Sequence, residues 1–237
     1  MDFSRLKSFY YDCLNYIYPS KCISCGEIIR KNEFLCDYCN FKLPIIDPQK
    51  RCIKCGLIKG KCDCKHLIYH FEGLTAPFFN EGVAKQALYK FKFYKKQHYV
   101  DFFAQKMALC VVTDFKDIKF DGICFAPMTF KSKIKRGYNQ AEDLATALSD
   151  ILNLPLFYNA LAVNGKREVQ HYLKSKARFK NIRNHFKGTK KLNGKTILLV
   201  DDIKTTGATL DECARQLMFA GAYHVYSITA VAVERKG

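Results

Sequence analysis

Two adjacent carboxylates, Asp201 and Asp202, close an apolar run, Ile197 to Val200, inside the stretch Thr196–Thr209, which reads TILLVDDIKTTGAT. A short polar loop follows, Lys204-Thr205-Thr206-Gly207, and then Leu210, Cys213, Ala214 and Leu217 recur at spacings of three and four, which predicts a helix. Strand, tight loop and helix in this order place the loop at the carboxyl end of a buried strand, where α/β sheets bind ligands. Backbone N–H groups at a helix N-terminus, two threonine hydroxyls and a glycine that permits close approach suit a phosphate. The carboxylates would repel a phosphate and suit sugar hydroxyls or a divalent cation. A ligand carrying both a phosphate and a ribose satisfies both halves. The simpler alternative is a βα turn whose Asp pair only caps the helix.

A second chemical pattern lies near the start of the chain. Eight cysteines fall between positions 22 and 64: Cys22-x2-Cys25, Cys36-x2-Cys39, Cys52-x2-Cys55 and Cys62-x-Cys64. Cys-x-x-Cys turns aim two thiolates at one metal, and four thiolates make a closed tetrahedral zinc site. Sequential pairing gives one site from Cys22, Cys25, Cys36 and Cys39 and another from Cys52, Cys55, Cys62 and Cys64; interleaved pairing is the alternative. His66 is a spare ligand. Closed sites leave no position for catalysis, so the metal is expected to fold a segment too short for its own core. Disulfides are the competing reading. The first residues carry Asp2, Arg5, Lys7 and Asp12 where an export signal would be apolar, so a cytoplasmic location is expected, and disulfides rarely persist there.

The elements that must position these groups can be read from periodicity. The 237 residues suffice for one α/β core and a small second unit, and no stretch of 18 uncharged apolar residues predicts a membrane span. Phe3, Leu6, Tyr10, Leu14 and Ile17 sit at helical spacing. Leu67–Leu74 reads as a strand, residues 80–92 and 100–111 as helices, Asp121–Ala126 as a strand ending at Pro127, 139–152 as a helix with Leu144, Ala147, Leu148 and Ile151 facing the core, and Tyr223–Val233 as a last strand. Alternating strands and helices predict an α/β fold, a mostly parallel sheet with helices on both faces. The expected division is an amphipathic helix over 1–20, a zinc-binding unit over 21–66 and an α/β domain over 67–237. Cys13, Cys110, Cys124 and Cys213 lie in apolar contexts and are expected in the core.

Charge points to an anionic partner. The formal net charge is +17; four thiolates against one Zn²⁺ put each site at −2, so two sites would leave +13. Between Lys166 and Lys195 eleven cationic side chains face one acid, Glu168, with Tyr172, Phe179 and Phe186 interleaved. Cations for phosphates beside rings for bases suit a single-stranded nucleic acid. A cationic loop over a diphosphate explains the cations nearly as well.

The order Asp-Asp, two residues, Thr-Thr-Gly-Ala-Thr resembles the signature by which type I phosphoribosyltransferases bind 5-phosphoribosyl diphosphate (PRPP). The resemblance implies that Asp201 and Asp202 contact the ribose hydroxyls and that Lys204, Thr205, Thr206, Gly207, Ala208 and Thr209 wrap the 5′-phosphate. The cysteine-rich unit, then Arg136-Gly137-Tyr138-Asn139-Gln140-Ala141-Glu142, then Gln170, Arg178, Asn181 and Phe186, then the Asp-Asp motif, is similar in order to the ComF family over nearly the whole chain. That family pairs a zinc ribbon with a type I phosphoribosyltransferase-like domain and is tied to natural transformation, where single-stranded DNA enters the cytoplasm. The resemblance implies binding of PRPP with Mg²⁺, structural zinc, single-stranded DNA, and DNA-import or recombination proteins as partners. It further implies a site that either regulates or catalyses displacement of diphosphate by a nitrogen nucleophile, with Lys90, Lys92, Arg136 and Arg178 as candidates for the diphosphate. The alternative is a metabolic phosphoribosyltransferase acting on a free nitrogenous base.

Overall fold

The computed structural model of the chain describes residues 19–60, 62, 64, 68–94, 97–128, 132, 134, 136–164 and 182–234. The expected helix over 3–17, Cys13, His66, and Gln170, Tyr172, Arg178, Phe179 and Asn181 lie outside them.

The sheet is built from two long central parallel strands flanked by short ones. β1 (Gly73–Thr75) and β2 (Phe78–Phe79) both pair with the last strand, and β3 (Gly122–Phe125) lies at the other edge. α1 (Asp37–Phe41) precedes β1, and α2 (Gly82–Phe93) and α3 (Gln97–Asp114) come between β2 and β3. Next are α4 (Gln140–Leu152) and an antiparallel pair, β4 (Leu161–Val163) and β5 (Phe186–Gly188). The chain closes with β6 (Thr196–Lys204), α5 (Ala208–Phe219) and β7 (His224–Ala232). The strand order is β1–β7–β6–β3, every pairing parallel.

The apolar run on β6 explains the layering. Successive side chains of a strand point to opposite faces. Leu198 and Val200 enter the core beneath α2, α3 and α4 with Ile228 and Ala230 of β7, while Ile197 and Leu199 enter the core beneath α5 and the β4–β5 hairpin with Val225. Both faces are therefore buried, which is why this strand reads as a continuous hydrophobic run. Cys110, Cys124 and Cys213 are core residues, as expected.

Helix α4 starts where its sequence says. Asn139 caps it, its side-chain oxygen accepting from the Ala141 N–H at 3.1 Å, and Glu142 and Asp143 follow in the first turn. Asn153 ends it in the left-handed conformation at φ 50°. Ala141, Leu144, Ala145 and Leu148 face the core; Ile151 does not, and lines a surface cleft with Asp101, Asp143 and Asp150. The expected strand over 67–74 is displaced: Ile68–Glu72 is not strand, and pairing begins at Gly73. Tyr69 and His70 are committed instead to the β6–α5 loop and to α5.

The cysteines occupy two turns of the same construction. In the first, the Cys22 N–H donates to the Glu27 carbonyl and Gly26 N–H to Cys22; in the second, Cys52 N–H donates to Leu57 and Gly56 N–H to Cys52. Gly26 and Gly56 have φ of 87° and 72°, the left-handed region that makes glycine the default after each Cys-x-x-Cys. The first turn packs into the core of α2 and α3. The second forms a small core of its own with Ile46, Leu57, Ala76 and Ala232.

Candidate ligand site and metal centres

β3 stops at Phe125, which pairs with Val200, so β6 runs on past its neighbour and presents Asp201 and Asp202 at an open carboxyl edge. A cavity of about 450 Å³ lies there, a size suited to a small-molecule ligand. Asp201, Asp202, Thr205, Thr206, Ala208 and Thr209 line one side; Ala126, Pro127 and Met128, following β3, and Arg136, Asn139 and Gln140, opening α4, line others. The Asn139 amide donates to the Ala126 carbonyl at 3.2 Å, which ties the start of α4 to the end of β3. Arg136 donates to Gln140 at 3.2 Å, and the Tyr138 hydroxyl donates to the Phe91 carbonyl. The block Arg136–Gln140 is thus both a wall and the brace that fixes it.

The two carboxylates differ. Asp201 accepts the Asp202 backbone N–H at 2.8 Å. Burial, with the neighbouring Asp202 charge adding to it, pushes the Asp201 carboxyl well above its ordinary value of 3.8. Asp202 forms an ion pair with Lys92 Nζ at 2.6 Å. Burial and the neighbouring charge thus both oppose ionisation of Asp201.

The remaining expected residues divide. Thr205, Thr206, Ala208 and Thr209 surround the cavity at the N-terminus of α5, while Lys204 and Gly207 stand behind the loop. Lys204 is 2% exposed and close enough to Cys55 to act on its thiol. Gly207 has φ 85°, and a Cβ there would meet the Tyr69 ring at 3.1 Å. Lys90 is not at the cavity: its ammonium donates to the Ser24 carbonyl of the first cysteine turn. Two residues on, Lys92 lines the site in its place. Helical geometry decides this, since positions two apart point to different sides.

Sequence reasoning missed His185. It is 1% exposed and lines the cavity, and neither ring nitrogen has a hydrogen-bond partner. Burial lowers its pKa from 6.5 against the opposing charge of Glu212, which leaves a neutral imidazole. A buried polar group without a partner inside a cavity calls for a ligand or water. A histidine in a lysine-rich stretch gives no sequence signal; its setting does. Asn184, left-handed at φ 62°, donates its N–H to Glu212 at 2.9 Å, and Arg215 holds the Asn184 side chain and Glu212, each at 2.8 Å. Burial alone would raise the Glu212 carboxyl, but Arg215, Gln216 and the Asn184 N–H outweigh it and hold it below 4.5. A depressed carboxylate stabilises above its ordinary pKa, and that contribution is lost as pH falls through the lowered value. Glu212→Gln should cost about 1–2 kcal/mol at pH 7 and flatten the acid limb of a stability–pH profile below pH 4.5; an unchanged limb in urea melts would refute the clamp.

The cysteines gather as sequential sets. The sulfurs of Cys22, Cys25, Cys36 and Cys39 lie within 4.8 Å of one another, and so do those of Cys52, Cys55, Cys62 and Cys64. Cys25 and Cys36 are 3.7 Å apart and Cys52 and Cys64 3.8 Å, against about 3.8 Å for a tetrahedral site with 2.3 Å Zn–S bonds. These separations exclude a disulfide at either pair. Backbone N–H groups of Cys36, Cys25 and Ser24 bring the Cys22 thiol down to about 7 although burial opposes them. Both sets are compatible with structural zinc, and they fit a zinc ribbon.

Phe186, expected among rings open to bases, is buried at 4% beneath α5 and belongs to the cavity wall, not to the basic surface. Arg183, Lys187, Lys190 and Lys191 beside it are exposed. No helix among the described residues is long and apolar enough to cross a membrane.

A parallel α/β sheet carries the carboxylate pair and the Thr-Thr-Gly turn at its carboxyl edge, and residues 128–236 match the family profile described as phosphoribosyl transferase domain. The chain carrying it is a relative of proteins named for DNA use and competence. The DNA utilization protein YhgH of Escherichia coli O157:H7 is 31% identical over 102 residues, 43% of this chain and 45% of that protein. Competence protein F of Haemophilus influenzae is 30% identical over 143 residues, 57% of this chain and 62% of that protein. The chain thus spans about half the length of the first of these relatives. Among solved structures, the purine phosphoribosyltransferase of Pyrococcus horikoshii is similar, at 19% identity, a TM-score of 0.34, and coverage of 57% of this chain and 84% of that one. The resemblance to the ComF family rests on these relatives, on the phosphoribosyl transferase domain and on the cysteine sets ahead of it.

Proposed function

We propose that the protein binds PRPP with Mg²⁺ in the cavity at the end of β6, binds single-stranded DNA on its basic surface, and acts in the cytoplasm on DNA imported during natural transformation. The observation that carries the reading is the convergence of Asp201, Asp202, Thr205, Thr206 and Thr209 on one cavity, in a chain whose relatives are named for competence and DNA utilization. The threonine hydroxyls and the first N–H groups of α5 would hold the 5′-phosphate, and the Asp pair the ribose hydroxyls and the metal. Arg136 and Lys92 would hold the diphosphate. Bound PRPP supplies an anomeric carbon with diphosphate as leaving group, and Mg²⁺ offsets its charge. Lys92, already paired with Asp202, sets the carboxylate in place before the ligand arrives. The two cysteine sets would each hold one zinc ion as scaffold, and import or recombination proteins would be partners.

His185 favours a second reading, a phosphoribosyltransferase for a free nitrogenous base: a neutral imidazole in a wall shared with Ile182, Phe186, Pro127 and Met128 suits a flat heterocycle.

Calorimetric titration separates the two. PRPP with Mg²⁺ should bind the zinc-loaded protein, and a short oligodeoxynucleotide should bind with log affinity falling at roughly −0.7 per phosphate contact against log salt. No DNA affinity at low salt would refute the DNA role. Diphosphate release on adding adenine, guanine, hypoxanthine or uracil to the PRPP complex would establish the second reading.

A further inference from the structure

The second cysteine set lies close to the β6–α5 loop, and the Tyr69 side chain touches both. Tyr69 packs on the small core formed by Ile46, Cys55, Leu57, Ala76 and Ala232 together with Cys52, Cys62 and Cys64. Its ring also belongs to the core beneath α5 and stacks on Phe71 at 4.5 Å. Its hydroxyl donates to the Thr206 carbonyl at 3.3 Å. The ring fills the space a side chain at position 207 would need. Next to it, the His70 N–H donates to Asp211 Oδ1 at 2.6 Å, which fixes the first turn of α5. Lys204, the last residue of β6, is buried.

The second cysteine turn is in turn fastened to the sheet. The Leu74 N–H donates to the Ile53 carbonyl at 2.7 Å, and Arg51 donates to Thr75 and to the Ile46 carbonyl at 2.8 and 2.7 Å. A small core built around four sulfurs has few apolar side chains to hold it without the metal. The loop that faces the cavity therefore leans on a support whose rigidity the metal sets.

We propose that Tyr69 is a positioning residue for the loop Thr205–Thr209, and that metal held by Cys52, Cys55, Cys62 and Cys64 sets ligand affinity at the cavity through it. The proposal rests on the PRPP reading only for the identity of the ligand; the support of the loop is a separate claim. Tyr69 touches no ligand. It holds the Thr206 carbonyl and the Gly207 backbone from behind, so that the N–H groups of the turn keep their convergence. A loop with that convergence spends less order on binding a phosphate.

The test compares four full-length chains: the natural one, Tyr69→Ala, Cys62→Ser, and the double variant. Zinc content is read with a chromophoric chelator, affinity for PRPP with Mg²⁺ by calorimetry, and loop order by amide hydrogen exchange of Thr205–Thr209 with no ligand present. Tyr69→Ala should keep both zinc ions, lose about tenfold in affinity and exchange faster in the loop, with α4 unchanged. Cys62→Ser should lose one zinc and show the same loop change. The double variant should be no weaker than about twofold below either single one, because both act through one contact chain. Full additivity of the two losses, or a Tyr69→Ala chain that binds and exchanges like the natural one, overturns the proposal. If the natural chain binds no PRPP, the ligand reading fails, and the exchange comparison still decides the support claim. Should Cys62→Ser unfold, Tyr69→Ala with its zinc intact decides it alone.

Discussion

Replacing Asp201 and Asp202 together by asparagine should weaken binding of PRPP with Mg²⁺ by at least about a hundredfold, the loss of two charge-assisted contacts. The fold should survive. Asparagine keeps the size of each side chain, and an oxygen at position 201 can still accept the N–H of residue 202 that Asp201 accepts at 2.8 Å. Relief of the burial cost and of the neighbouring charge, which together raise the Asp201 carboxyl, offsets the loss of the Lys92 ion pair at 2.6 Å. Calorimetry beside a thermal melt reads both effects, and undiminished affinity would refute the site. The natural protein carries a further sign of the pair. Ligand binding that needs both carboxylates ionised must expel the proton that burial favours on Asp201. Affinity should therefore rise with pH up to the raised Asp201 value and level off above it, with proton release visible as a dependence of the measured heat on the buffer.

Arg51→Ala should be the most damaging single change to stability, at about 3–5 kcal/mol, the cost of leaving a buried charge without its partner. Arg51 is 3% exposed. Its guanidinium meets Asp114 of α3, the Thr75 hydroxyl of β1 and the Ile46 carbonyl, so one side chain ties the second cysteine turn to a helix and a strand. Without it the Asp114 carboxylate, 9% exposed, is left with the Thr75 and Thr113 hydroxyls. For a chain of this size the melting temperature should fall by roughly 10 °C. Arg51→Met combined with Asp114→Leu should recover most of the loss, because the double change removes both charges. A melt of Arg51→Ala within 1 °C of the natural protein would show that the pair carries no such weight.

What could be read from the sequence was local. The apolar run Ile197–Val200 is legible because a strand covered on both faces has no polar side. The Asp-Asp and Thr-Thr-Gly motif is legible because a phosphate turn uses consecutive backbone N–H groups, so its residues must be adjacent. The cysteine turns are legible because each brings together near neighbours in the chain, whereas the choice of sequential over interleaved sets is made only by the structure. What the sequence could not show depends on groups far apart in the chain meeting in space. Lys92 rather than Lys90 reaches the Asp pair because of which side of α2 faces the sheet. His185 becomes a site residue only because Glu212 and Arg215, nearly thirty residues on, hold the preceding Asn184. Phe186 looked open to a base beside its lysines and is instead covered by α5. Tyr69 sits 137 residues before the loop it supports, in a segment whose own pattern suggests a plain strand. Spacing fixes chemistry that neighbours in the chain perform together, whereas burial and long-range pairing choose among equivalent lysines, histidines and aromatics, and those choices are made only when the sheet closes.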